Sequence, residues 1–285
     1  MTSPSFQTLR TQYSSGLRRF ITSARNFEIL SSLPSDHSRQ SIPPPEVLYV
    51  LDSSFNPPTL AHRTIASSAV LDNPSTPSRL LLLLATQNAD KPSKPALFED
   101  RLAMMELFAR DLLAYLGASL SAATSPQLPE IDIGVTKKPY FVDKAAEIES
   151  SGVYPSSPEQ VHLTGYDTLI RIFNPKYYPP EHTLQPLGPF LSQHRLRVTM
   201  RPDSDWGSQD EQKAFLLNMA QGGMEADGGK REWAQRIQLV EGKRPGEKSV
   251  SSTKAREAIR ENPQELDSLV PPVVRDFIVS ERPYE

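Results

Sequence analysis

Apolar positions along this chain alternate between two periods. Short continuous runs such as VLYVL at 47 to 51 and LLLLLA at 80 to 85 have strand length, and they are separated by longer segments in which apolar residues recur every three or four positions. The pattern predicts strands at 47–51, 79–85, 131–134, 160–164, 195–200 and 236–240. Helices are predicted at about 59–70, 97–116, 141–149, 166–173, 208–220 and from 252 onward. Strands separated by helical crossovers imply right-handed βαβ units, and so a doubly wound α/β fold with a parallel sheet and helices on both faces. Before this rhythm starts, Phe6, Leu9, Tyr13, Leu17, Phe20 and Ile21 follow helical spacing, which predicts an N-terminal amphipathic helix. The Pro/Ser-rich stretch 31–46 reads as a linker. Two parts are therefore expected: residues 1–45, a helix and linker, and a main domain over 46–285. Segments 117–130, 174–190 and 221–232 break the rhythm as insertions, the Pro/aromatic middle one having the make-up of a lid.

Composition narrows the chemistry. The 285 residues are 38% hydrophobic and carry a net charge of −3, which suits a sizeable core and excludes a strongly basic nucleic-acid footprint. There is no cysteine, so disulfides, thiolate metal sites and cysteine nucleophiles are excluded. No apolar run is long enough to span a bilayer. The first 27 residues hold four arginines and no acid, the composition of a mitochondrial presequence as well as of a packed helix. A cytoplasmic or nuclear setting is expected, with the mitochondrial matrix as the alternative. The sequence leaves oligomeric state open, and a homo-oligomer is compatible with it.

Two stretches carry candidate chemistry. LDSSFNPPTLAH follows the strand at 47–51, at the carboxyl end where open α/β sheets bind ligands. Its prolines stiffen the approach, Thr59 is placed to cap the next helix, and His62 stands three residues on, all suited to an anion at a helix N-terminus. Near the other end, VSSTKAR places Ser251, Ser252 and Thr253 at a second helix start, with Arg256 one turn in. Two phosphate seats in one α/β domain suit a polyphosphate.

These residues resemble a known family. SSFNPPTLAH is similar to the G-S-F-x-P-x-[HT]-x-x-H signature of adenylyl- and cytidylyltransferases, and VSSTKAR to their I-S-S-T-x-x-R signature. The T-x-x-H form of Thr59 to His62 resembles eukaryotic nicotinamide mononucleotide adenylyltransferases, as does the closing LVPPVVRDFI. The resemblance implies a Rossmann-like fold and the reaction of ATP with nicotinamide mononucleotide to give NAD and pyrophosphate, with Mg2+ accompanying ATP. Carried over, it implies ATP contacts from Ser54, Phe55, Thr59, His62, Gly165, Asp167, Ser252, Thr253 and Arg256. His62, Lys91 and Arg256 would be the catalytic cations. Lys91, Tyr140 and Arg201 would meet the mononucleotide, with Phe141 and Trp206 as further aromatic candidates. Two positions depart from the pattern: Ser53 stands where the motif has Gly, and Ala61 replaces the glycine of the bacterial form. Another phosphorylated acceptor, nicotinate mononucleotide among them, and a regulatory protein that binds or hydrolyses ATP, are the rival readings.

Overall fold

A computed structural model describes residues 5–34, 43–87, 95–120, 128–201, 206–242 and 249–285. Seven strands form one sheet in the order β1-β4-β3-β2-β5-β6-β7. They are β1 (Phe27–Leu33), β2 (Val47–Asp52), β3 (Ser78–Ala85), β4 (Glu130–Thr136), β5 (Glu159–Gly165), β6 (Arg195–Thr199) and β7 (Ile237–Val240). Every neighbouring pair is parallel except β1 with β4. Leu80 to Leu84 in β3 are all fully buried, as a parallel strand covered on both faces requires, and each contributes roughly 2 kcal/mol of burial.

The helices are α1 (Phe6–Thr22), α2 (Leu60–Asp72), α3 (Phe98–Leu120), α4 (Phe141–Ser150), α5 (Tyr166–Ile172), α6 (Gly188–Gln193), α7 (Gln209–Ala220), α8 (Ser252–Glu261) and α9 (Pro272–Glu281). One face of the sheet packs with α1, α2, α3, α8 and α9 around Phe55, Phe108 and Phe277. The other packs with α4 to α7 around Tyr166, Phe190 and Trp233. From β2 the chain winds to β3 and β4 on one side, then returns to β5 on the other. The crevice at the carboxyl ends of β2 and β5 is thus the switch point where such sheets bind ligands.

Three expectations change. Residues 31–33, expected in the linker, belong to β1, whose Phe27 and Leu33 are buried and which covers the edge of β4. Helix α3 runs on to Leu120, through the start of the expected 117–130 break. The 174–190 stretch is no loose lid: Tyr178, Leu184, Leu187 and Phe190 are buried, and the Tyr178 hydroxyl donates to the Ile172 carbonyl at 2.6 Å. Four apolar anchors outweigh what its prolines forbid.

Helix α1 is part of the core. Leu9, Tyr13, Leu17 and Phe20 are buried against α3, the Tyr13 hydroxyl donates to Glu106 at 2.6 Å, and Arg10 pairs with Asp100 at 2.6 Å. Its arginines lie on the face away from these residues or pair with acids, as in Arg19 with Glu28 at 3.2 Å. Among the described residues no helix is long and apolar enough to cross a membrane.

Candidate active site

A cavity of about 380 Å³ opens at the switch point. Its walls come from the end of β2 (Asp52, Ser53), the first turns of α2 (Thr59 to His62), the end of β5 with the start of α5 (Thr164, Gly165, Asp167), the end of β6 (Thr199 to Arg201) and the entry to α8 (Ser249 to Ser252). Residues far apart in sequence reach it because each strand ends at the same edge.

The two motifs touch directly. The Ser252 hydroxyl donates to the Pro57 carbonyl at 2.7 Å, Arg256 Nη1 donates to the Asn56 carbonyl at 2.6 Å, and Arg256 Nη2 donates to Thr253 Oγ1 at 3.2 Å. Ser251 caps α8 by accepting the Lys254 N–H at 3.2 Å. The N-terminal ends of α2 and α8, each the positive end of a helix dipole, are clamped side by side. From below, Arg101 in α3, 1% exposed, donates from Nε to the Ser54 carbonyl at 2.7 Å, and burial brings its guanidinium down to about 10. The loop is therefore held by two arginines through its backbone carbonyls.

Phe55 offers the loop its backbone and not its side chain. Its ring is fully buried, 5.2 Å from the His62 ring and 6.4 Å from Phe108, so the side chain belongs to the core and only its backbone stands in the loop. It does so at a φ of 45°, a conformation costly for a residue with a Cβ and retained here by the packing of the ring. Ser54 is exposed and outside the cavity wall. Thr59 is fully buried with its hydroxyl 2.9 Å from His62 Nδ1, so it faces the imidazole.

His62 is not the cation expected. The Thr59 backbone N–H donates to Nδ1 at 3.0 Å. Since that nitrogen accepts, the hydrogen of the neutral ring sits on Nε2 and is donated to Ser53 Oγ, 2.9 Å away. Burial, and secondarily the charge of Arg201, bring the imidazole down to about 4, so at neutral pH it is an uncharged N–H donor.

Gly165 and Asp167 form a turn in which a Cβ at 165 would lie 2.6 Å from Asp167 Oδ1, so a side chain there would displace that carboxylate. Arg201 Nη1 meets Asp167 at 3.3 Å. This puts Arg201 on the β5–β6 side of the crevice, whereas Tyr140 stands at the head of α4, outside the cavity wall. The two residues expected at the pyridine nucleotide thus stand on different elements around the crevice. Phe141 packs at 4.9 Å from His162 and 4.8 Å from Phe190, in the core, and Trp206 packs against the same cluster. Lys91 lies outside the described residues.

Sequence reasoning missed several groups. Lys144, buried on α4, donates at 2.5 Å to Asp52, a residue of the cavity wall. Thr164 Oγ1 is buried at the cavity with no hydrogen-bond partner among the described residues. Arg101 and Lys144 carried no motif signal; the charge at each position inside an otherwise apolar helical stripe was the available clue. Among the described residues no three His, Asp or Glu side chains stand together as a metal cage.

A cavity flanked by two helix N-termini at the switch point of a doubly wound sheet is the place where α/β proteins of this class bind their ligands. No family profile matches the chain. A Schizosaccharomyces pombe protein named "Putative nicotinamide mononucleotide adenylyltransferase" is 34% identical over 238 residues, covering 83% of this chain and 86% of that protein. The chain therefore belongs to the nicotinamide mononucleotide adenylyltransferase family. Among solved structures, two of Plasmodium falciparum nicotinic acid mononucleotide adenylyltransferase are similar, one complexed with NaAD (TM-score 0.47, 11% identity) and one with APC (TM-score 0.48, 12% identity). Each match covers 84% of this chain and 97% of the other.

Proposed function

We propose that this protein transfers the adenylyl group of ATP to nicotinamide mononucleotide, forming NAD and releasing pyrophosphate. The observation that carries the reading is the meeting of the two motifs around one cavity, Ser252 and Arg256 bonded to the Pro57 and Asn56 carbonyls. The mononucleotide phosphate attacks the α-phosphorus in line, the bond to the bridging oxygen of pyrophosphate breaks, and no covalent enzyme group is needed. Catalysis then rests on aligning two anions and stabilising charge on the transferred group.

His62 offers Nε2–H to a phosphate oxygen without bringing a charge. Arg256, oriented by Thr253, neutralises the departing pyrophosphate together with Ser252 and the α8 N-terminus. Thr59 sets the orientation of His62, and the Ser54–Phe55 backbone holds the loop. Asp167, lying across Gly165, accepts from the ribose hydroxyls of ATP. Lys91, and Tyr140 beside the β3–β4 side of the crevice, serve the mononucleotide, whereas Arg201 serves the ATP half. Mg2+ would accompany ATP and would neutralise charge on the phosphates as the pyrophosphate leaves.

Purified protein incubated with ATP, Mg2+ and nicotinamide mononucleotide, with NAD read by a coupled dehydrogenase, tests the reading. NAD formation is expected. ATP binding without NAD overturns it in favour of a regulatory binder, and product only with nicotinate mononucleotide reassigns the acceptor.

A further inference from the structure

We propose that Ser53 is a positioning residue for His62, its hydroxyl holding the imidazole with Nε2–H directed along the cavity wall. The proposal deepens the adenylyl-transfer reading and rests on it for its kinetic consequence. Ser53 follows the last residue of β2, and its backbone N–H donates to the Leu83 carbonyl at 3.3 Å, so the residue is tied to β3. Its Oγ accepts from His62 Nε2 at 2.9 Å, while Nδ1 accepts from the Thr59 N–H at 3.0 Å. The rings of Phe55 and Phe108 pack against the imidazole, with centroids at 5.2 and 6.4 Å. Both nitrogens and the ring are thus fixed, and of these restraints the Ser53 hydroxyl alone comes from the strand side of the cavity.

The chemistry of the contact explains its use. A phosphate oxygen brought against this wall meets an imidazole whose position the Ser53 hydroxyl has already set, so little ordering of the ring is left for the reaction. The motif this loop resembles has glycine at 53, where that restraint does not exist. A Cβ at this position also narrows the approach of the loop backbone, which is the opposing account of the same residue.

Three substitutions separate the accounts. Ser53→Ala keeps the Cβ and removes the hydroxyl, Ser53→Gly removes both, and Ser53→Thr keeps the hydroxyl. With protein labelled with 15N at histidine, without nucleotide, the His62 Nε2–H proton of the wild type is expected to be observable and slow to exchange with solvent. In Ser53→Ala and Ser53→Gly its exchange is expected to rise at least tenfold, with unchanged far-ultraviolet circular dichroism. In the coupled assay kcat is expected to fall roughly tenfold in both, as for loss of one hydrogen bond. KM for the mononucleotide should stay unchanged, and Ser53→Thr should recover most of the rate. An Nε2–H signal as protected in Ser53→Ala as in wild type overturns the proposal, as does a Ser53→Gly enzyme faster than wild type. If the wild type forms no NAD, the adenylyl-transfer reading fails on its own, and the exchange measurement still decides the role of Ser53.

Discussion

The protonation state of His62 is the sharpest point at which the mechanism can be tested. A drop from 6.5 to about 4 corresponds, at ~1.36 kcal/mol per pH unit, to about 3 kcal/mol favouring the neutral ring. At pH 5.5 a histidine with its ordinary pKa would be roughly nine-tenths protonated, and His62 only a few per cent. Dependence of kcat/KM on pH reports the ionisations of free enzyme and free substrates, and phosphate groups titrate near pH 6 in their own right. The informative quantity is therefore the ratio of wild-type to His62→Gln kcat/KM, in which the substrate terms cancel. That ratio is expected to be flat from pH 8 to about 5.5 and to change only on approach to pH 4. A nitrogen-detected titration of the His62 ring should show the same midpoint. The sign extends to stability: the unfolded chain takes up the proton first, so this residue's contribution falls as pH drops from 6.5 toward 4. A ratio that bends between pH 6 and 7, with a ring titrating there, refutes the neutral-donor assignment and restores a cationic His62.

Other predictions bear on neighbouring parts. His62→Ala should lower kcat by roughly 10²- to 10³-fold with the thermal midpoint little changed, the size expected for losing one transition-state donor; near-normal turnover excludes the role. Gly165→Ala forces Asp167 off the turn and should raise KM for ATP about tenfold while leaving KM for the mononucleotide alone; steady-state kinetics with each substrate varied decides it. His162, buried with its imidazole pushed down to about 3, mainly by burial, makes the fold lose about 2 kcal/mol between pH 8 and 5, because only the unfolded chain protonates there. Urea unfolding of His162→Gln at the two pH values should show that loss diminished by about the same amount. Arg101→Met should destabilise by roughly 2 kcal/mol through the undonated Ser54 carbonyl and should also lower kcat, since the loop loses its support from α3; a fall in stability with unchanged kcat rejects the loop-holding role.

What the sequence made legible here is what local chemistry determines. The strand at 47–51, the stiffened loop, the caps of α2 and α8 and the buried leucines of β3 each announce themselves within about ten residues, because capping, proline geometry and strand burial act over that range. β1 escaped because Ser31 and Ser32 break its apolar pattern in FEILSSL, although Phe27 and Leu33 are buried and Ile29 and Leu30 pack against the cores on the two faces of the sheet. The 174–190 stretch escaped because prolines suppress the periodic signal that Tyr178, Leu184 and Leu187 would otherwise give once packed. The motifs named the groups that gather at the cavity but could not give their charge or their partners. His62 was expected as a cation because histidine beside phosphate suggests one; its neutrality comes from Phe55 and Phe108 closing around the ring and Arg201 arriving from β6. Arg256 looked like a free phosphate ligand, yet it also braces the loop through Asn56, 200 positions away. These properties are set by which strands end together, so a substitution in α3 or β6 that leaves both motifs intact can change the chemistry of the residues within them.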